Sequence, residues 1–271
     1  MNGSSAPQKN RSRDEKRRIV ERLRKFRRTR LGNGRDGVSA GVVPSFFTLM
    51  NLFCGFLAVI QVHEGQYVYA GWLIVIAGFF DLLDGMLARA TDSVSRFGVE
   101  LDSLGDVVSF GLAPAFLIYS FELHRLNELG MIAASMPVVC GAVRLARYNV
   151  QFDGEKKGTF EGLPIPVQAI TLVAFILTFH DPTFLDQYKW GNLSILVPLV
   201  VLLSTLMVSN VEFQAIPKPT RSFFKSHPKT VIGYAVALAL ILLFQETGLF
   251  LVLVGYIFLN LGLAVHATIW D

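Results

Sequence analysis

From Val42 onward the chain is a succession of apolar runs, each close to the roughly 20 residues a helix needs to cross a bilayer. They fall at about 44–62, 68–90, 98–121, 129–150, 163–180, 191–210, 229–245 and 248–268. Runs of that length leave few alternatives. In hydrocarbon every backbone N–H and C=O must be satisfied within the protein, and a helix does this locally. The reading is an all-α polytopic membrane protein with about eight transmembrane helices. Gln245, Glu246 and Thr247, followed by Gly248, are all that divides the last two. With 52% hydrophobic residues and a mean hydropathy of +0.46, an ordinary soluble domain is excluded.

The charge is concentrated at one end. Of the 25 Lys and Arg, 13 lie between Lys9 and Arg35. Residues 1–13 read as a disordered tail. Residues 14–31 (DEKRRIVERLRKFRRTRL) read as a basic amphipathic juxtamembrane helix, with Ile19, Val20, Leu23 and Phe26 on one face. Such a helix is expected to meet anionic lipid headgroups, or else to be a solvated basic arm that sets topology. The stretch LGNGRDGVSAG reads as a linker. This divides the chain into a basic segment, 1–41, and a membrane domain, 42–271. The N-terminus does not read as a signal peptide, because no short apolar core with a small-residue cleavage site follows the first charges. Cys54 and Cys140 lie in apolar runs without a spacing motif, so they read as small buried hydrophobes.

Lys and Arg in the loops give an orientation. With the basic N-terminus in the cytoplasm, the inward loops hold Arg96, Lys156, Lys157, Lys218, Arg221, Lys225 and Lys229. The outward loops hold Arg125 and Lys189. Both termini are then cytoplasmic, which fits an even number of spans.

One segment breaks the apolar pattern: DLLDGMLARATDSVSRFGVELDSLGD, residues 81–106. Asp81 and Asp84 are three apart near the end of the second helix, and Asp102 and Asp106 are four apart in the first turns of the third. Each pair shares a helical face. A short connection makes the two helices antiparallel neighbours, so all four carboxylates can converge at the cytoplasmic face. Gly85, Gly98 and Gly105 leave room around them. Four converging carboxylates require positive charge between them. Hard divalent cations, Mg²⁺ or Mn²⁺, suit oxygen ligands, and a two-metal clamp suits phosphoryl chemistry. Arg89, five residues after Asp84, suits a phosphate oxygen. The bland alternative is that the aspartates cap helices or face water beside Arg89 and Arg96.

The pattern Asp84-Gly85, Ala88-Arg89, Gly98, Asp102, Asp106, with Asp81 three residues earlier, resembles the signature of the CDP-alcohol phosphatidyltransferases. The resemblance implies a helical membrane fold, usually a homodimer, and two divalent cations. It also implies displacement of CMP from a CDP-linked lipid by an alcohol. By position, Asp81, Asp84, Asp102 and Asp106 are then metal ligands, and Asp106 is also the general base. Gly85, Ala88, Arg89 and Gly98 belong to the CDP-lipid pocket. The first span, PSFFTLMN, is similar to the family's first helix; Pro44 would open it, with Thr48 and Asn51 as nucleotide contacts or, alternatively, plain helix packing.

Beyond the signature, SLGDVVSFGLAPAF (103–116), RLARYN (144–149) and FEGLPIPVQA (160–169) resemble the serine-using, membrane-integral branch of that family. The implied partners are CDP-diacylglycerol and L-serine, with no nucleic acid, in a bacterial or archaeal cell membrane. Arg144 and Arg147 could grip the serine carboxylate, with Asn149 adding a hydrogen bond; the alternative is that both arginines anchor the helix at the headgroups. Glycerol 3-phosphate or an inositol phosphate as acceptor, and an archaeal-type ether lipid as donor, remain open. From other classes, a cation transporter would need acidic groups near the bilayer midplane and broken helices, and a non-catalytic scaffold would not need the intact signature.

Overall fold

The apolar runs fold as helices. The computed structural model describes residues 37–90, 96–151, 159–180, 191–214 and 228–270. The expected amphipathic helix at 14–31 lies outside the described residues. Helix α1 (Gly37–His63) turns through Glu64–Gln66 into α2 (Tyr67–Ala90). Gly65 supplies the positive φ, +73°, that the tight turn requires. So short a connection makes α1 and α2 an antiparallel pair, packed along their length.

The third run is one helical rod built of three parts. These are α3 (Arg96–Asp106), a π-helical segment (Val107–Leu112) and α4 (Ala113–Phe121). Pro114 explains the wide turn. It has no N–H for the carbonyl of Phe110, and its ring would crowd that carbonyl in a regular helix. The π turn moves the register by one residue, with the Ala113 amide donating to the Val108 carbonyl.

A short 3₁₀ turn (Leu123–Leu126) leads to α5 (Glu128–Gln151). Then follow β1 (Thr159–Glu161), α6 (Ile165–Phe179), α7 (Gly191–Val208), β2 (Glu212–Gln214) and α8 (Pro228–Trp270). Helix α8 is broken at Gln245, whose φ of +48° and ψ of −119° are not helical. A Cβ at Gly248 would overlap the Leu240 carbonyl, so the chain can fold back closely there.

Helix α6 is central because it is apolar on every side. Leu172, Val173, Ala174, Phe175 and Ile176 are all fully buried. It packs on α2, α4, α7 and α8. Gly71 and Gly78 of α2 make that approach possible, since a Cβ at either would sit 3.1–3.2 Å from Leu177 or Ile170.

The bundle is apolar outside as well. On α1, Phe46, Leu49, Phe53, Phe56 and Ile60 form an exposed stripe at helical spacing. The inward face carries smaller or polar residues: Thr48, Asn51, Cys54 and Ala58. That distribution suits hydrocarbon, where burying apolar area brings no gain and small residues let backbones approach. Of the two cysteines, Cys54 is buried and Cys140 half-buried, and both are free thiols. Among the described residues, five helical stretches are long and apolar enough to cross a membrane: Phe46–His63, Tyr67–Leu87, Phe97–Phe121, Glu128–Val150 and Ala235–Ala264. Ile165–Phe179 and Ile195–Val208 are apolar but shorter. The chain is therefore an all-α protein of membrane-spanning composition.

Three local features differ from the sequence reading. Residues 37–41, read as linker, are the first turn of α1, and Pro44 lies inside the helix instead of opening it. Extending an existing helix gains a hydrogen bond for each residue fixed, which outweighs two glycines. Pro44 lacks the N–H that would bond the Ala40 carbonyl, which weakens this turn without ending the helix. The run at 163–180 becomes helical only at Ile165, after Pro164 in an extended conformation (ψ 136°). Two short strands, not foreseen, pair antiparallel with Phe160 opposite Phe213. Such a pairing joins segments fifty residues apart and leaves no local periodicity to read.

Candidate active site

The site forms where the middle of α1, the C-terminal turns of α2, α3 and the end of α5 come together. Asp81 and Asp84 come from the last turns of α2, and Asp102 and Asp106 from α3. The two pairs face each other as the i, i+3 and i, i+4 spacings require. Asp81, Asp102 and Asp106 each offer a carboxylate oxygen, and these atoms lie within 4.8 Å of one another. Asp84 borders this trio, near enough to Asp102 and Asp106 for the charges to act on one another. Asp84 and Asp106 are buried, at 6% and 7% exposed.

Helix α1 holds two of the carboxylates from behind. Thr48 Oγ1 donates to Asp84 Oδ2 at 2.7 Å. Asn51 Nδ2 donates to Asp106 Oδ1 at 3.3 Å. Both side chains are buried, so these bonds form in a medium where an unpaired carboxylate oxygen is costly. Gly105 faces these groups, and a Cβ there would meet Asn51 Nδ2 and the Thr48 carbonyl at ordinary contact distance, 3.7 Å.

A divalent cation fits this donor set. Three carboxylates converge, and Asp102 Oδ1 is buried without a hydrogen-bond partner. Hard cations take carboxylate oxygens in such an arrangement.

The other sequence-predicted residues separate into groups. Gly85 follows Asp84 on α2, and Gly98 lies in the first turn of α3. Ala88 and Arg89 close α2, and their side chains lie outside the described part of the structure. Arg144, on α5, lies near enough to Asp106 to feel its charge, and its Nε is buried without a hydrogen-bond partner. Arg147 is engaged elsewhere, with the Val208 carbonyl at 2.9 Å and Asn210 Oδ1 at 3.3 Å. Asn149 Nδ2 donates to Ser103 Oγ at 2.9 Å, joining α5 to α3 beside Asp102.

Two residues at the site went unremarked in the sequence reading. Ser109, in the π segment, donates to the Asn51 carbonyl at 2.9 Å. Gly55 makes room for it, since a Cβ at 55 would overlap Ser109. Pro114 was a usable signal that the helix after Asp106 departs from regularity; the partner of Ser109 was not legible, because α1 is more than fifty residues away.

The family model for CDP-alcohol phosphatidyltransferase matches residues 41–206, a span that contains every aspartate of the site. The chain belongs to this family. Among curated relatives, the CDP-diacylglycerol–serine O-phosphatidyltransferase of Helicobacter pylori is 36% identical over 171 residues, covering 63% of this chain and 70% of the relative. The protein of the same name from Bacillus subtilis is 36% identical over 174 residues, covering 63% and 89%. The archaetidylserine synthase of Methanothermobacter thermautotrophicus is 36% identical over 173 residues, covering 63% and 69%. Membership in this transferase family displaces the transporter and scaffold readings.

Proposed function

We propose that the protein transfers the phosphatidyl group of CDP-diacylglycerol to the hydroxyl of L-serine, giving phosphatidylserine and CMP. The observation that carries this is the convergence of Asp81, Asp102 and Asp106, with Asp106 buried and held by Asn51, in a chain whose relatives bear that activity in their names.

Asp81, Asp102 and Asp106, with Asp84 beside them, would hold divalent cations, Mg²⁺ or Mn²⁺. Bound there, such cations supply neutralisation of the diphosphate charge. The chain's own residues do the rest. Asp106 takes the proton of the serine hydroxyl as its oxygen attacks phosphorus. Asn51 keeps the receiving carboxylate oriented, and Thr48 does the same for Asp84. The new bond joins the serine oxygen to phosphorus. The bond that breaks joins phosphorus to the oxygen bridging to CMP, which leaves with the electron pair. By the family motif, Gly85, Ala88 and Gly98 line the nucleotide pocket, and Arg89 carries the charge of the departing phosphate. Arg144 supplies the cation for the serine carboxylate.

An exchange assay in micelles tests the proposal. CDP-diacylglycerol, Mg²⁺ or Mn²⁺ and one alcohol at a time are supplied, and CMP and lipid product are followed together. CMP release with serine is the expected outcome. Release only with glycerol 3-phosphate or an inositol phosphate would keep the family and overturn the acceptor. The archaeal relative favours a second reading, transfer from a CDP-linked ether lipid, and an ether-lipid donor supplied in parallel separates the two.

The proposal extends to the setting. Helix α8, broken at Gln245, crosses the membrane twice, and α6 and α7 cross once each, so that eight spans place the site and both termini at the cytoplasmic face of a bacterial or archaeal membrane. Loop charge supports this orientation. The family implies a homodimer. The basic segment 1–35 meets anionic headgroups. Deleting it is expected to weaken binding and activation by anionic vesicles relative to neutral ones; unchanged responses would assign it to topology alone.

A further inference from the structure

The last two turns of α5 send three polar side chains in three directions. Arg144 lies near enough to Asp106 to feel its charge, and its Nε is buried without a hydrogen-bond partner. Asn149 bonds Ser103, next to Asp102 in the chain. Arg147 turns to the pair of strands that closes this end of the bundle. Its Nη1 donates to the Val208 carbonyl at 2.9 Å, its Nη2 donates to Asn210 Oδ1 at 3.3 Å, and the Glu161 carboxylate is 3.8 Å from Nη2.

Val208 ends α7, and its carbonyl is among those a helix terminus leaves without an intrahelical donor. A guanidinium there satisfies the carbonyl and meets the negative end of the helix dipole. The strand pair is fixed to the same terminus. The Gly162 and Leu163 amides donate to the carbonyls of Val211 and Leu206 at 2.9 and 3.0 Å. Gly162 has a φ of +78°, and a Cβ there would overlap the Met207 carbonyl, so only glycine lets the backbone approach this way. Phe213 of β2 packs on Tyr256 of α8, with ring centroids 6.4 Å apart. The result is a clasp anchored on α7 and α8, and Arg147 ties it to α5.

The contacts of Arg147 are unequal. The ion pair with Glu161 is long and 37–45% exposed, and contributes little. The charge-assisted bonds to Val208 and Asn210 are the stronger part. They engage one N–H on each Nη nitrogen and aim the guanidinium at the end of α7 and the strand pair.

We infer that Arg147 is a positioning residue: by capping α7 and holding the clasp, it fixes the end of α5 and so sets Arg144 at the Asp106 side of the site, where the acceptor carboxylate binds. The inference rests on the serine acceptor proposed above. It assigns the two arginines different tasks, one binding and one holding, in place of the joint grip expected from their i, i+3 spacing.

The test is CMP release as a function of serine concentration, at saturating CDP-diacylglycerol and Mg²⁺. Wild type is compared with Arg147→Ala, Arg147→Lys, Asn210→Ala, Arg144→Ala and the Arg144→Ala/Arg147→Ala pair. Arg147→Ala is expected to raise KM for serine roughly ten- to a hundred-fold, with kcat changed only a few-fold, as for a misplaced binding group. Arg147→Lys restores most of the loss, and Asn210→Ala shifts KM in the same direction by a smaller factor. In the Arg144→Ala background, Arg147→Ala adds less than about two-fold, because the group it positions is gone. Additive losses from the two arginines, or an unchanged KM in Arg147→Ala, would overturn the inference. If Arg147→Ala does not fold, the lysine and Asn210 variants decide: a KM unchanged in both also overturns it. Wild-type protein that releases no CMP with serine overturns the proposed function instead.

Discussion

Asp106→Asn is expected to lower serine-dependent CMP release by roughly 10²–10⁴-fold, the usual contribution of a positioned general base, and to leave the fold intact. The substitution changes almost nothing in size. Asn51 Nδ2 can still donate to the remaining carbonyl oxygen at position 106, as it does to Asp106 Oδ1 at 3.3 Å. Ser109 still holds the Asn51 carbonyl, so α1 and the π segment stay packed. An amide cannot take the proton of the attacking hydroxyl, and it is a weaker cation ligand than a carboxylate. Both losses fall on turnover. Chromatographic behaviour and thermal unfolding in detergent check that the protein remains folded. Turnover within a few-fold of wild type, in folded protein, would remove Asp106 from the role of base.

Chelation should have an effect at least as large. EDTA is expected to abolish activity, and Mg²⁺ or Mn²⁺ to restore it. Asp81, Asp102 and Asp106 bring carboxylate oxygens within 4.8 Å, with Asp84 adjacent. Like charges so close repel strongly where water is scarce. Arg144 opposes only part of that repulsion. A divalent cation binding the folded site stabilises it by mass action, so the unfolding temperature should rise with added Mg²⁺ and fall with EDTA. In Asp102→Asn the rise should shrink, since the unpartnered Oδ1 of Asp102 belongs to the donor set. Activity and melting temperature both indifferent to EDTA would overturn the metal reading.

Much of this site was legible in the sequence because its logic is local. Asp81 with Asp84, and Asp102 with Asp106, lie at helical spacings on two helices joined by a short connection. Periodicity and antiparallel packing alone bring such pairs together. The helices were legible for a similar reason: a long apolar run in hydrocarbon has almost no other way to satisfy its backbone. The boundaries were less so. Residues 37–41 looked like linker, but helix propagation overrode their glycines.

The helical class, the four aspartates and the family are readable from the chain alone, because each is written in spacing along one or two adjacent helices. Tertiary structure alone decided the partners. It set Thr48 on Asp84, Asn51 on Asp106 and Ser109 on the Asn51 carbonyl, contacts that span 36 to 58 residues. It also gave Arg147, one turn from Arg144 on the same helix, the Val208 carbonyl and Asn210 as partners. Their spacing places both near the end of α5. Which neighbour each meets depends on α7 and the strand pair, and those reach α5 only when the whole bundle has closed.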